Sequence, residues 1–286
     1  MITSDQERAY FDRQYSQFLA MPDHALRVDR NLLDREIDDP AQPFYERRAL
    51  YRATLRALEE EPFVGSSVLD YGCGPADFGL WMACRGAEVT LLDLSPAAIE
   101  LGERRAKASD LTIRGVAADA SRLDMFRDEE FDLVFACAAL HHTLKYPGAV
   151  DELVRIMRPG ARLVLCETWG GNPLLNAARR LHWKMTGAGE DDGEDILMSR
   201  DQLALLEPYF RDIIVQPMNL FAMGKRLLRG QYTHGWARAA VHAMEALDAV
   251  TLTAIPPLRN WCGEARSEEH TSELQSHHDL VCRLLL

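Results

Sequence analysis

No Cys-x-x-Cys pair occurs among the six cysteines, Cys73, Cys84, Cys137, Cys166, Cys262 and Cys282. That spacing speaks against a zinc site or a disulfide framework, and several of the six sit in apolar runs that read as core. Reduced thiols in a cytoplasmic protein are the expectation. Positive charge is scarce as well: 32 Lys and Arg face 44 Asp and Glu, a formal net charge of -12. So acidic a surface repels phosphate backbones, so nucleic acid is not an expected partner. The densest basic stretch, Lys225, Arg226 and Arg229, reads as a solvated helix face. Long apolar runs are missing too. The N-terminus, MITSDQERAYFDRQY, lacks the apolar centre of a secretory signal. The most apolar later stretch, 237–256, is interrupted by His242, Glu245 and Asp248, which excludes a membrane span. There is no internal repeat and no low-complexity linker.

What is present is enough apolar residue, 47%, to bury a sizeable core. Residues 5–19 and 44–60 read as helices, with Asp38, Asp39, Pro40 and Pro43 breaking the chain between them. From residue 66 short apolar runs alternate with helical segments. SVLDYG, AEVTLLD, LTIRGV, FDLVFAC and ARLVLCE read as five strands, and 76–86, 96–108 and 147–158 as helices. Such alternation implies right-handed crossovers and a mostly parallel, doubly wound α/β sheet with helices on both faces. Ser95-Pro96 is an N-cap followed by a first-turn proline. Arg158-Pro159-Gly160 is expected to end a helix and turn into the fifth strand. RDIIVQPMN, 211–219, reads as a sixth strand after a helix at 201–208, and 219–250 as helical again.

The segment VLDYGCGPADFG, 68–79, joins a strand to a helix. Gly72 and Gly74 allow a sharp turn and a close approach of the backbone to a ligand. Dinucleotide-binding folds use the same physics, so the turn alone does not choose a ligand. The third glycine of a GxGxxG pattern is missing, however, because position 77 is Asp77, and an acid at a helix start repels a pyrophosphate. Asp93 ends the strand AEVTLLD, where a carboxylate can accept from both ribose hydroxyls. Asp119, in GVAADASRL, follows the third strand at the carboxyl edge of the sheet, where a carboxylate can accept from an adenine amino group.

The order DYGCG, LLDLS, AADAS, FDLVFACAALHHT and RPGARLVLCET is similar to that of the class I S-adenosylmethionine-dependent methyltransferases, and it looks most like their quinone-methylase-like small-molecule branch. The resemblance covers 66–168 and continues more weakly to about 218. It implies a Rossmann-like fold, S-adenosylmethionine as cofactor and methylation of a small-molecule acceptor. It also implies roles: Asp70 at the methionine end, Gly72 and Gly74 leaving room for the cofactor, Asp93 and the adjoining Leu94 at the ribose. Asp119 and Ala120 would meet the adenine, and the backbone at Cys137 the methionine amino group. Ala76 stands where many members carry a glycine. WGGNPLLNAARRLH also looks like members with a GGNPL turn after the fifth strand. Two rival readings remain, a cofactor-binding protein without turnover and an NAD-dependent oxidoreductase.

Methyl transfer requires positioning and a dry cavity more than a particular catalytic residue. A base helps when the acceptor must lose a proton, and His141 or His142, just after the fourth strand, could supply it; both could instead only cap their loop. His182 and Trp183 could line an acceptor pocket or pack a helix. The acidic run Glu190, Asp191, Asp192, Glu194 and Asp195 lacks calcium-loop spacing, so no metal is expected. Tyr10, Phe11, Tyr15 and Phe18 recur at helical spacing, fitting either a lid over the cofactor or an ordinary amphipathic helix.

The expected organisation is an N-terminal helical extension (1–62), a core (63–265) carrying a C-terminal helical insertion at 219–258 over the acceptor side, and a tail (266–286). The tail is expected to be foreign to the protein. RSEEHTSELQS, 266–276, and the closing LVCRLLL resemble the two constant stretches of a widely used short-read sequencing adapter read in frame, with His277, His278 and Asp279 where its index would fall. His270, His277 and His278 are therefore not read as metal ligands. Either the whole tail stays loose, or 279–286 docks in the sheet as a substitute last strand.

Overall fold

The computed structural model describes residues 3–186 and 197–271. Its centre is a seven-stranded sheet in the order β3-β2-β1-β4-β5-β7-β6. The strands are β1 (Ser67–Tyr71), β2 (Glu88–Asp93), β3 (Arg114–Ala117), β4 (Phe131–Cys137), β5 (Met157–Thr168), β6 (Phe210–Met218) and β7 (Glu264–Thr271). The first five pair in parallel, and β7 is inserted antiparallel between β5 and β6. The chain order reverses at β1, between β2 and β4, and open α/β sheets bind ligands beyond the carboxyl ends of the strands at such a switch point.

Helices α1 (Ser4–Leu19), α2 (Asp23–Leu26), α3 (Leu32–Asp38) and α4 (Arg48–Leu58) form the N-terminal extension, with a 3-10 turn over Pro43–Arg47. Between the strands come α5 (Asp77–Ala83), α6 (Pro96–Ala108), α7 (Leu140–Thr143), α8 (Ala149–Ile156), α9 (Pro173–Thr186) and α10 (Arg200–Ala204). The link from β6 to β7 holds α11 (Gly235–Ala254) between 3-10 segments Phe221–Leu228 and Pro256–Trp261. Both faces of the sheet are buried in apolar clusters: Val68, Leu91, Leu133, Phe135 and Val164 lie on one side, and Leu69, Leu92, Val134, Leu163 and Leu165 on the other. A sheet covered on both faces explains why these strands read as near-continuous apolar runs. As expected, Ser95 caps α6, accepting from the Ala98 N–H at 3.2 Å with Pro96 in the first turn.

Two features differ from the sequence expectation. Arg158-Pro159-Gly160 does not precede the fifth strand but lies within β5, where its pairing with β4 slips between Phe131 and Leu133. Proline cannot donate to the ladder and Gly160 has φ +81°, so the segment bulges instead of turning. The slot between β5 and β6 is filled by 264–271 and not by 279–286, which lies outside the described residues. β7 is unusual for an inner strand: Arg266, Ser267, Glu268, Glu269 and Thr271 are all buried.

Candidate cofactor and acceptor site

The strand ends β1, β2 and β4 open onto a cavity of about 390 Å³. Gly72 continues β1 into a turn at φ +69°, and its N–H donates to the Leu92 carbonyl at 2.8 Å. A Cβ there would stand 2.4 Å from that of Ala139, so the close approach of two strand-end loops depends on glycine. Gly74, at φ +52°, faces the Tyr15 hydroxyl. Ala76 also has positive φ, +63°, a conformation that disfavours a side chain and suits glycine.

Three of the carboxylates that line this cavity stand at or just after ends of the parallel strands. Asp70 is 2% exposed and accepts from the Gly79 N–H at 2.9 Å; burial, with Asp93 and Asp77 nearby, pushes its carboxyl up to about 7. Asp93 accepts from the Ser95 and Gly74 N–H groups, each at 2.9 Å, while burial holds its pKa above the ordinary value. Asp119 is only partly buried. Burial opposes its ionisation, but hydrogen bonds from Ser121 and Ser4 keep it below the usual carboxylate value. Leu94, Ala120 and Cys137 complete the set of expected cofactor residues, and all eight line the cavity. Asp77 is neutralised by Arg105 at 2.7 Å.

Part of the remaining wall was not read from sequence as site. Phe44 and Tyr51 come from the N-terminal extension, and Phe78 and Phe135 pack beneath them, with ring centroids 4.8 Å apart. Tyr71 runs along the floor, its hydroxyl 2.8 Å from the Ala120 carbonyl and 2.7 Å from the Thr143 hydroxyl. Helix α1 closes the top. Glu7, Phe11 and Tyr15 line the cavity, and Phe11 and Tyr15 stack with centroids 6.1 Å apart. Burial and the charge of Asp93 drive the Tyr15 phenol above its ordinary pKa, keeping it neutral. Asp12 anchors the helix, accepting from the Ser95 hydroxyl at 2.5 Å and the Ala97 N–H at 3.2 Å. Phe18 is exposed and takes no part.

The two histidines separate. His142 lines the cavity, and its Nδ1 lies 2.6 Å from Glu7 Oε1. His141 is buried away from the cavity, its Nδ1 2.6 Å from Glu167 Oε2, while the other Glu167 oxygen accepts from the Leu140 N–H. The segment 219–258 contributes nothing to the cavity wall; it packs behind the wall through Tyr232 on Tyr45 and Glu245 on Arg48. No cluster of three or more metal-ligating side chains occurs among the described residues. The acidic run 190–195 and the side chains of His182 and Trp183 lie outside them.

Residues 69–165 match the family described as methyltransferase domain. Among curated proteins, the chain is 36% identical over 115 residues to demethylmenaquinone methyltransferase of Clavibacter sepedonicus, covering 40% of this chain and 45% of that protein. It is 36% identical over 118 residues to the enzyme of the same name from Thermus thermophilus, covering 41% and 52%. The chain thus spans about half the length of the curated relatives it matches. Among solved structures, the fold is similar to Haemonchus contortus phosphoethanolamine N-methyltransferase 2 in complex with S-adenosyl-L-methionine, with TM-score 0.55, 16% identity, 85% of this chain and 59% of that one. No described helix is long and apolar enough to cross a membrane.

Proposed function

We propose that this protein binds S-adenosylmethionine and transfers its methyl group to a small-molecule acceptor. The observation that carries the reading is the convergence of Asp70, Asp93 and Asp119, from three successive strand ends, on one cavity with an aromatic far wall. The residues fit the cofactor. Asp70, a buried carboxylate with a raised pKa, suits an ammonium group. Asp93 has its in-plane positions set by Gly74 and Ser95 and retains acceptor capacity for two hydroxyls. Asp119 suits an exocyclic amine. When bound, the cofactor supplies an electrophilic methyl on a sulfonium.

The chain's own residues do the rest. Phe44, Tyr51, Phe78 and Phe135 form an apolar surface for the acceptor beside Cys137. Helix α1 excludes water with Phe11 and Tyr15. His142 stands where it can take a proton from the acceptor. The demethylmenaquinone methyltransferases among the relatives support a small apolar acceptor. An acidic surface speaks against nucleic acid, and the five described cysteines, all free thiols, agree with a reducing cytoplasm.

Isothermal titration with S-adenosylmethionine, S-adenosylhomocysteine and NAD tests the cofactor, with binding expected for the first two alone. Incubating a metabolite extract with isotopically labelled S-adenosylmethionine tests turnover by mass spectrometry. Tight binding with no labelled product from a broad extract would favour the reading of a cofactor-binding protein without turnover.

A further inference from the structure

The Glu7–His142 pair joins the lid helix to the core. Glu7 is 6% exposed, the one fully buried residue of α1, and it lines the same cavity as His142. A carboxylate facing inward from an otherwise half-exposed helix is costly unless it meets a partner. Its Oε1 lies 2.6 Å from His142 Nδ1, with the ring turned off the best hydrogen-bond line. Such bonds are often poorly aligned before the substrates are in place. A carboxylate only accepts, so a neutral His142 beside it must carry its proton on Nδ1, which leaves Nε2 as the basic nitrogen. Behind His142 packs the tilted ring of His141, centroids 4.2 Å apart, itself fixed by Glu167, so the ring of His142 is braced from the core side.

Resting on the methyltransferase reading, we propose that Glu7 is a positioning residue that sets the tautomer of His142, so that the general base is complete only when α1 is docked. The acceptor's O–H (or acidic C–H) bond breaks, its proton passes to His142 Nε2, and the electron pair stays on the acceptor atom as its nucleophilic pair. Glu7 offsets the positive charge that the imidazole gains, and water later removes the proton. This narrows the acceptor class. It is a group that must lose a proton to be methylated, such as a hydroxyl, and not a tertiary amine or thioether, which has none to give.

The test is the ¹⁵N spectrum of the imidazoles in the full chain saturated with S-adenosylhomocysteine, near pH ~8.5, where an unperturbed histidine is neutral. His142, assigned by its loss in His142→Gln, is expected as the Nδ1–H tautomer. In Glu7→Gln, whose amide can also donate, the spectrum is expected to shift toward Nε2–H. With the acceptor found by labelling, kcat of Glu7→Gln is expected to fall about tenfold or more at little changed S-adenosylhomocysteine affinity. An Nε2–H tautomer in the unmodified protein, an imidazolium that keeps both protons, or a spectrum indifferent to Glu7→Gln overturns the proposal. The unmodified spectrum decides even if the variant misfolds. Failure of the unmodified chain to bind S-adenosylhomocysteine overturns the cofactor reading itself, and is seen separately in the titration.

Discussion

Asp93 Oδ2 accepts a hydrogen bond from the Gly74 N–H at 2.9 Å, tying the end of β2 to the glycine turn that follows β1. The carboxylate proposed to hold the ribose therefore also holds the loop that makes room for the cofactor. Replacing it removes a charged acceptor and frees the turn together. Asp93→Ala is expected to weaken S-adenosylhomocysteine binding by about 1.5–3 kcal/mol. Asp93→Asn keeps one acceptor oxygen and should cost less. Calorimetric affinities that match the unmodified protein in both variants would remove Asp93 from the site.

Asp70 predicts a pH dependence. Its carboxyl sits near 7 without the cofactor because it is buried. An ammonium placed against it favours the carboxylate, so binding should release a proton below about pH 7. Affinity is then expected to rise with pH up to about 7 and level off above it. Folding runs the other way. The native state holds this proton while the unfolded chain has lost it, so the Asp70 contribution to stability falls as pH rises from about 4 to about 7. Titrations in two buffers of different ionisation enthalpy count the proton directly. No buffer dependence at pH 6 would contradict the placement of the ammonium beside Asp70.

His141 and His142 make opposite predictions although they are neighbours. His141→Ala leaves Glu167, 2% exposed, without its imidazole partner, and should lower stability by about 1–3 kcal/mol. His142→Ala is expected to lower turnover with little effect on the melting temperature. Thermal melts of the two variants side by side separate these roles, and equal destabilisation would leave no reason to single out His142.

Much of the proposed cofactor site was legible in the sequence because the residues proposed to hold the cofactor lie at or next to strand ends that open onto one cavity. An apolar run followed by Asp or Gly marks its own place at the carboxyl edge, and Asp70, Asp93 and Asp119 needed nothing further. The aromatic wall was not legible. Phe44 and Tyr51 reach the cavity from the N-terminal extension through tertiary packing that no local pattern records. The same holds for Glu7, whose partner His142 lies far along the chain, and for the division of labour between two adjacent histidines. The helix expected over 44–60 is a 3-10 turn over Pro43–Arg47 followed by α4 over Arg48–Leu58, and its role lies in what it packs against. Residues 219–258 were expected over the acceptor; they instead support the wall from behind, because the link from β6 to β7 lands on Tyr45 and Arg48.

Turnover is expected not to require a metal. The described residues gather no ligand set, and displacement at a sulfonium carbon needs no Lewis acid. Activity should survive exhaustive chelation. Loss on chelation with recovery on adding magnesium would bring the acidic run 190–195 into the mechanism.

The last prediction concerns β7. A strand inserted between two others in a covered sheet ordinarily alternates or runs apolar, since burial selects its side chains. From Arg266 to Thr271 this strand has no apolar residue. Glu268 is compensated: burial opposes its ionisation, but the Arg162 and Arg266 guanidinium groups hold its pKa below the ordinary value. Glu269 is not. It is fully buried, one oxygen accepts from the Ser267 hydroxyl at 2.9 Å, the other has no partner, and burial pushes its pKa up to about 8. Between about pH 4.5 and 8 the folded chain keeps a proton here that the unfolded chain gives up. Stability therefore falls as pH rises through that window. Glu269→Val should stabilise the protein by about 1–4 kcal/mol at pH 8, and by less at pH 5. A valine that destabilises at both pH values would mean that the carboxylate is held by partners that geometry does not reveal. The adapter resemblance of 266–276 leads to a different expectation, a loose tail or 279–286 in the slot; for the strand that is there we propose that its residues meet the backbone demands of the slot without having been selected for burial. Sequencing the gene anew from its source decides the matter. An uninterrupted natural reading frame encoding RSEEHTSELQS would overturn that reading, whereas an apolar strand after Ala265 would support it and should give a protein that melts at a higher temperature.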